Sequence, residues 1–300
     1  MSLETLETCP VCNNTSFENF LNVTDYTVSQ KEFTIQKCIT CQFLFTNPRP
    51  DESEIGDYYQ SQDYISHNDQ AKGLISKVYG IVRDYTIGQK VKMINNLSNG
   101  KGKLLDIGCG TGNFVNAGKE NGWNVFGTEP DPNARNAAAA KTGNIIFESI
   151  QAPELISEKF DIITMWHVLE HVHYLNETLD WLDQHINQNG TILIAVPNPE
   201  SYDAANYGRY WAAYDVPRHL YHFTKNTMQK LLGNHGLTIQ QTLPMWFDSF
   251  YVGMLSTKYK GQKVDIPDSI KTGLVSNWKG RSTEEKQINT SSIIYVIKKK

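Results

Sequence analysis

Between residues 104 and 197, short apolar runs alternate with segments whose apolar residues recur every three to four positions. Leu104–Ile107, Asn124–Thr128, Asn144–Glu148, Phe160–Met165 and Thr191–Val196 have the length of buried strands and read as strands one to five. The stretches Asn113–Asn121, Pro132–Lys141 (rich in alanine) and Leu175–Ile186 carry helical spacing. Alternation at this pitch implies right-handed parallel crossovers and an α/β, doubly wound sheet. Such sheets bind ligands beyond the carboxyl ends of their strands. Pro197-Asn198-Pro199 stops strand five. Thr224 can then cap a helix running to Asn234, Gly236 ends it, and Leu237–Thr242 and Ser292–Ile297 read as strands six and seven, returning as an antiparallel edge.

Three regions depart from this alternation. The helix Gly73–Leu97 precedes strand one, with Leu74, Val78, Ile81, Val82, Tyr85, Val91, Ile94 and Leu97 near helical spacing. Residues 200–223 crowd Tyr202, Tyr207, Tyr210, Trp211 and Tyr214 ahead of Arg218-His219-Leu220, and are expected to form an insertion over the pocket. Residues 244–290 form a second insertion, with an aromatic helix at Trp246–Tyr259 and a polar loop at Ser276–Gln287.

Ahead of all this stand two identical cysteine spacings, Cys9-Pro10-Val11-Cys12 and Cys38-Ile39-Thr40-Cys41. Each CxxC turn can aim two thiolates at one point, and two such turns supply the tetrahedral set that Zn2+ prefers. Strands at Thr15–Phe20 and Glu32–Gln36 complete a zinc ribbon whose metal substitutes for a core too small to hold itself. Four ligands fill the metal, so the site is structural. The expected organisation is a separable ribbon over 1–46, connector and cap helices over 47–98, and a catalytic domain over 99–300 with insertions at about 200–223 and 244–290.

The candidate chemistry gathers at Asp106-Ile107-Gly108-Cys109-Gly110-Thr111-Gly112, where a strand ends in an acid and three alternating glycines. Glycines there let a ligand approach the backbone, and the following helix points free N–H groups into the same space. A P-loop would need Lys-Ser/Thr after the last glycine, where Asn113-Phe114 stands. A dinucleotide turn would need glycine at Asn113, which argues against a nicotinamide oxidoreductase. Glu129 ends strand two, placed to accept both hydroxyls of a ribose.

This pattern resembles motif I of the class I S-adenosylmethionine-dependent methyltransferases. Phe160-Asp-Ile-Ile-Thr-Met-Trp-His-Val-Leu-Glu-His-Val172 is similar to the segment after motif II in ubiquinone-type O-methyltransferases, and the amino-terminal ribbon resembles that of zinc-binding sugar C-methyltransferases. The resemblance implies a Rossmann-like seven-stranded sheet, with S-adenosylmethionine against Asp106, Gly108, Cys109, Gly110, Gly112, Glu129, Ser149, Ile150, Trp166 and His167. It also implies methyl transfer to oxygen or carbon of a small-molecule acceptor. A rival reading is a non-catalytic S-adenosylmethionine-binding protein whose ribbon docks a partner.

A general base is expected among His167, His171, His219 and His222, since imidazole titrates near neutrality. His219 is preferred, with Arg218 steering an anionic acceptor or repelling a proton from the imidazole. Relatives with Glu-x-x-Glu-His and a later histidine hold a divalent ion there; here His167 replaces the first glutamate, beside Glu170 and His171. The net charge of −4 exerts no overall pull toward nucleic acid or anionic membrane. No stretch reaches the roughly 20 apolar residues of a membrane span, and Met1–Thr8 lacks the pattern of a signal peptide, so a cytoplasmic location is expected. Oligomeric state is not legible.

Overall fold

The computed structural model describes residues 2–59, 74–281 and 288–300, with no side-chain description before residue 80 in the helix that opens the second stretch. Residues 60–73 of the expected connector and helix start, the side chains of Leu74 and Val78, and the 282–287 part of the expected polar loop lie outside the described residues.

The central sheet contains β6 (Lys103–Ile107), β7 (Asn124–Thr128), β8 (Phe160–Trp166), β9 (Ile186–Pro197), β11 (Leu237–Pro244) and β12 (Ser292–Lys299), in the order β11-β12-β9-β8-β6-β7. The pairs β6–β7, β6–β8 and β8–β9 are parallel, and β12 runs antiparallel to β9 and β11. Alternating residues divide the core. Leu105, Ile107, Ile163, Met165, Ile192 and Ile194 face α4 (Leu175–His185) and α6 (Lys225–Asn234). Leu104, Ile162, Leu193 and Ala195 face α1 (Leu74–Leu97) and α2 (Asn113–Glu120). Local chemistry marks the boundaries. In α3 (Pro132–Thr142), Asp131 accepts the Ala134 N–H at 2.7 Å and Gly143 leaves at φ 64°.

Among the described residues the sheet has six strands, one fewer than expected. Asn144–Glu148 contributes a single parallel bridge, Phe147 to Thr128. The Asn144 side chain takes the Val125 carbonyl at 3.1 Å, and Ile145 is 75% exposed, so neither extends the ladder. The expected polar loop is also corrected, because Ser276–Arg281 is the end of α8 (Ile266–Arg281), which pairs with α7 (Asp248–Gly261). Its serines and glycines are a helix-packing face.

The amino-terminal unit holds β1 (Leu3–Glu4), β2 (Phe17–Thr24), β3 (Glu32–Cys38), β4 (Leu44–Thr46) and β5 (Arg49–Pro50). Its sheet, β10-β4-β3-β2, recruits β10 (Tyr221–His222) from the end of the aromatic insertion, pairing Tyr221 with Phe45 and His222 with Leu44. That insertion, which includes α5 (Tyr202–Tyr207), packs against the ribbon. Tyr207, Trp211, Tyr214 and Val216 are buried in one core with Val23, Phe33, Ile35 and Leu44. Arg218 completes the join. It is 1% exposed and donates to Asp25 at 3.1 Å, Asp215 at 2.7 Å, Thr27 at 2.6 Å and the Tyr58 carbonyl at 2.9 Å. Clamped between carboxylates, Arg218 is unavailable to steer an acceptor, which corrects that expectation.

Candidate active site

The turn after β6 requires its glycines. Gly108, Gly110 and Gly112 have φ of 68°, 54° and 75°, a region that side chains disfavour. A Cβ on Gly112 would lie 2.9 Å from the Ala138 Cα, and one on Gly108 would lie 2.6 Å from the Val168 side chain. At Gly110 nothing stands within 4 Å, so this backbone faces open space that a ligand can enter. Cys109 points the other way. Its sulfur lies 3.1 Å from where a Gly127 Cβ would stand, and burial pushes its thiol pKa up.

Carboxylates flank the open space. Glu129 Oε2 accepts the Gly110 N–H at 2.8 Å and Oε1 accepts the Asp131 N–H at 3.0 Å. Burial pushes its pKa up against these two donors. Asp106 is buried and accepts from the Thr164 hydroxyl at 2.6 Å; burial raises its pKa to about 7, opposed by Thr164 and Lys90. The Glu129 N–H donates to the Phe147 carbonyl at 2.8 Å, which brings half-buried Ser149 and buried Ile150 to the same end of the sheet. Asp161 is structural, accepting from the Lys103 N–H and the Asn187 amide at 2.8 Å each.

Lys90 was missed in the sequence. Its ammonium lies 4.2 Å over the Trp166 ring, with Asp106 and Asp248 as opposing charges; burial lowers its pKa despite them. No motif marks it, because α1 reaches the strand ends only through tertiary packing.

A second cluster, around His167, draws on distant segments. His167, at φ 58°, has Nε2 2.8 Å from Asp248 Oδ2 and Nδ1 3.2 Å from Glu170 Oε1. Burial alone would lower its pKa, but these carboxylates raise it to about 10. An imidazolium with both nitrogens engaged cannot take a proton, so His167 does not fit the base role. Glu170 is fully buried. His167 and the neighbouring histidines hold it ionised against burial, and its Oε2 has no hydrogen-bond partner among the described residues. His171 Nδ1 lies 3.1 Å from the Arg218 carbonyl and 2.9 Å from the Tyr59 hydroxyl, and burial, then His219, lowers its pKa to about 4.

His219 packs edge-on against His171 with centroids 4.6 Å apart. Its Nδ1–H donates to the Ala213 carbonyl at 2.8 Å, which leaves the Nε2 lone pair available. His222 lies apart from the group, 3.4 Å from Thr46 Oγ1, with its pKa lowered to about 3 by burial. One donor atom each from Glu170, His171 and His219 falls within 4.8 Å of the others, so the later histidine, not His167, completes the only such mixed group found among the described residues. Tyr59 and Asp248 were also missed in the sequence, lying 112 residues from His171 and 81 from His167, respectively.

The four ribbon thiols converge as the spacing predicts. Cys9–Cys41 and Cys12–Cys38 sulfurs are each 3.5 Å apart, near the edge of about 3.8 Å in a tetrahedron with 2.3 Å bonds. Both knuckles close alike. The Asn13 N–H donates to the Cys9 carbonyl and the Gln42 N–H to the Cys38 carbonyl, both at 2.9 Å, with Asn13 and Gln42 at positive φ. Burial pushes the Cys41 thiol up to about 11. A cation among the sulfurs would reverse that shift.

The ubiquinone biosynthesis O-methyltransferase of Rickettsia canadensis is 27% identical over 203 residues, 61% of this chain and 84% of that protein. Its counterpart in Rickettsia akari is 31% identical over 143 residues, 45% of this chain and 57% of that one. Magnesium protoporphyrin IX methyltransferase from Synechocystis PCC 6803, crystallised with SAH, shares the fold at TM-score 0.52 and 15% identity, over 83% of this chain and 100% of that one. Residues 82–242, more than half of the chain, match the family described as a methyltransferase domain, and the chain belongs to that family as a class I S-adenosylmethionine-dependent enzyme.

Proposed function

We propose that this chain transfers a methyl group from S-adenosylmethionine to an oxygen or carbon of a small-molecule acceptor seated between Trp166–His171, Tyr59 and His219. The observation that carries the reading is Gly110, whose backbone borders open space between Glu129 and Asp106. When bound, the cofactor supplies an electrophilic sulfonium methyl. Gly110 admits it, Glu129 accepts the ribose hydroxyls, Asp106 faces the methionine amino group and Lys90 supplies a cation for its carboxylate. The protein's work is to align the acceptor and exclude water. Names of the Rickettsia relatives support a hydroxyl acceptor. His219 Nε2 takes the acceptor proton, with its ring held by the Ala213 carbonyl. Zn2+ fills the site formed by the four ribbon cysteines.

Mass spectrometry of protein purified under mild conditions should find S-adenosylmethionine or S-adenosylhomocysteine, followed by a methylated product with hydroxyl-bearing acceptors. Carried nicotinamide, or unchanged S-adenosylhomocysteine binding in Gly110→Val, would sink the reading. A second reading for the acceptor side rests on the unpartnered Glu170 Oε2, because Glu170, His171 and His219 form a donor set that suits a divalent cation. Elemental analysis separates them. Zinc alone gives one metal per chain, whereas a second equivalent that disappears in Glu170→Gln assigns a cation to the acceptor site.

A further inference from the structure

Helix α8 is packed inside out. Its buried face consists of Ser269, Thr272, Gly273, Ser276 and Gly280, and α7 meets it with Ser249, Gly253 and Thr257. The approach is close. A Cβ on Gly273 would lie 2.6 Å from the Phe250 ring, and one on Gly253 would lie 3.3 Å from the Ser269 carbonyl. The opposite face carries Ile266, Ile270, Leu274 and Trp278 at four-residue steps; Leu274 is 57% exposed and Trp278 69%. Val264 extends this exposed row toward α7. A surface helix in water buries its large apolar side chains and shows its polar ones. Small residues between helices with large apolar residues outside is the arrangement of helices surrounded by lipid.

Charge identifies the occupant. Residues 258–281 hold six Lys and Arg against two Asp, in a chain with net charge −4. Lys260, Lys263, Lys271, Lys279 and Arg281 are all exposed. A second copy would set these cations against one another, whereas an anionic lipid surface complements them. Among the described residues no helix is long and apolar enough to cross a membrane.

We propose that the α7–α8 hairpin docks on an anionic bilayer surface, with Ile266, Ile270, Leu274 and Trp278 entering the boundary between headgroups and acyl chains. The hairpin starts at the active site, since Asp248, the first residue of α7, holds His167. Docking therefore seats the acceptor side next to the lipid.

The test is cosedimentation of the full chain with phosphatidylglycerol–phosphatidylcholine vesicles and with phosphatidylcholine alone, with light scattering of the free protein. The chain should partition onto the anionic vesicles, weaken as salt rises, and stay the same size at all protein concentrations. Leu274→Glu/Trp278→Glu should lose roughly tenfold or more of that partition, and Lys271→Glu/Lys279→Glu severalfold. Unchanged circular dichroism and S-adenosylhomocysteine binding would establish that both variants are folded. Absence of anionic-vesicle binding, or equal binding by the apolar variant, overturns the proposal. So does a concentration-dependent dimer that the apolar variant abolishes, which would assign the face to a second copy.

Discussion

The two halves of the proposed active site are built by different means. The cofactor half runs from Asp106 to Glu129 along one strand-turn-helix-strand unit and depends on backbone, namely three positive-φ glycines and N–H groups that a carboxylate can meet. The acceptor half assembles Tyr59, Glu170, His171, His219 and Asp248 from separate segments. It is held by the ribbon. Strand β4 pairs with β10, the Thr46 hydroxyl donates to the His219 carbonyl at 2.7 Å, and Arg218 binds Asp25 in the β2–β3 turn. The difference teaches that the cysteine cluster, far from the chemistry in sequence, reaches the acceptor half through paired strands and polar contacts, whereas it meets the cofactor half through the core it shares with Leu105 and Ile107.

Cys38→Ser should break this comparison most strongly. Structural zinc binding is coupled to folding at an apparent value of about 10–16 kcal/mol, so loss of one thiolate should unfold residues 1–46 to protease. Turnover should fall more than roughly 100-fold with a smaller loss of S-adenosylhomocysteine affinity. Intact turnover with an unfolded ribbon would show that the ribbon does not hold His219. His219→Asn keeps hydrogen bonding but removes the base, and kcat should drop about 10²- to 10⁴-fold while calorimetric affinity for S-adenosylhomocysteine stays put. Turnover within a few-fold of the parent removes the base assignment.

On the cofactor side, two glycines should separate stability from binding. Gly112→Ala places a Cβ 2.8 Å from the Ala138 Cβ at φ 75°, and should lower stability by about 2–4 kcal/mol in chemical denaturation. Gly110→Ala meets open space, so only its φ costs stability, about 1–2 kcal/mol, while ligand affinity falls. Glu129→Ala should weaken S-adenosylhomocysteine by about 10- to 100-fold, the equivalent of a charge-assisted hydrogen bond of roughly 1.5–3 kcal/mol, with kcat at saturation little changed.

The smallest effect concerns Asp106, whose pKa burial raises from 3.8 to about 7. Because the folded value exceeds the unfolded one, the native state binds the extra proton between these values, and this group's contribution to stability declines as pH rises through that window. An ammonium ligand needs the ionised form. Affinity for S-adenosylhomocysteine should therefore rise severalfold from about pH 6 to about pH 8 and level off, and Asp106→Asn should flatten the curve in calorimetry.

The parallel arrangement of β6, β7, β8 and β9 was legible because short strand-like runs alternate with helical spacing, and the glycine turn because its geometry excludes most side chains. Asn144–Glu148 misled, since its composition suits a strand while its neighbours satisfy the ladder only at Phe147. Ser276 and Gly280 misled in the opposite sense, as small polar residues that pack helices rather than form a loop. An overall charge of −4 concealed the cationic, apolar face of α8, because summing over a chain erases where charges lie.

By itself, the sequence determined the α/β alternation, the cofactor turn and the four thiolates, all properties of local backbone sterics and of ligand spacing within a few residues. Only the tertiary structure decided that His219 rather than His167 keeps an available nitrogen, that Arg218 is a clamp and that Lys90 lies over the Trp166 ring. Those outcomes depend on which charged partners burial brings together across tens to hundreds of residues, and no local pattern encodes the partner of a buried charge.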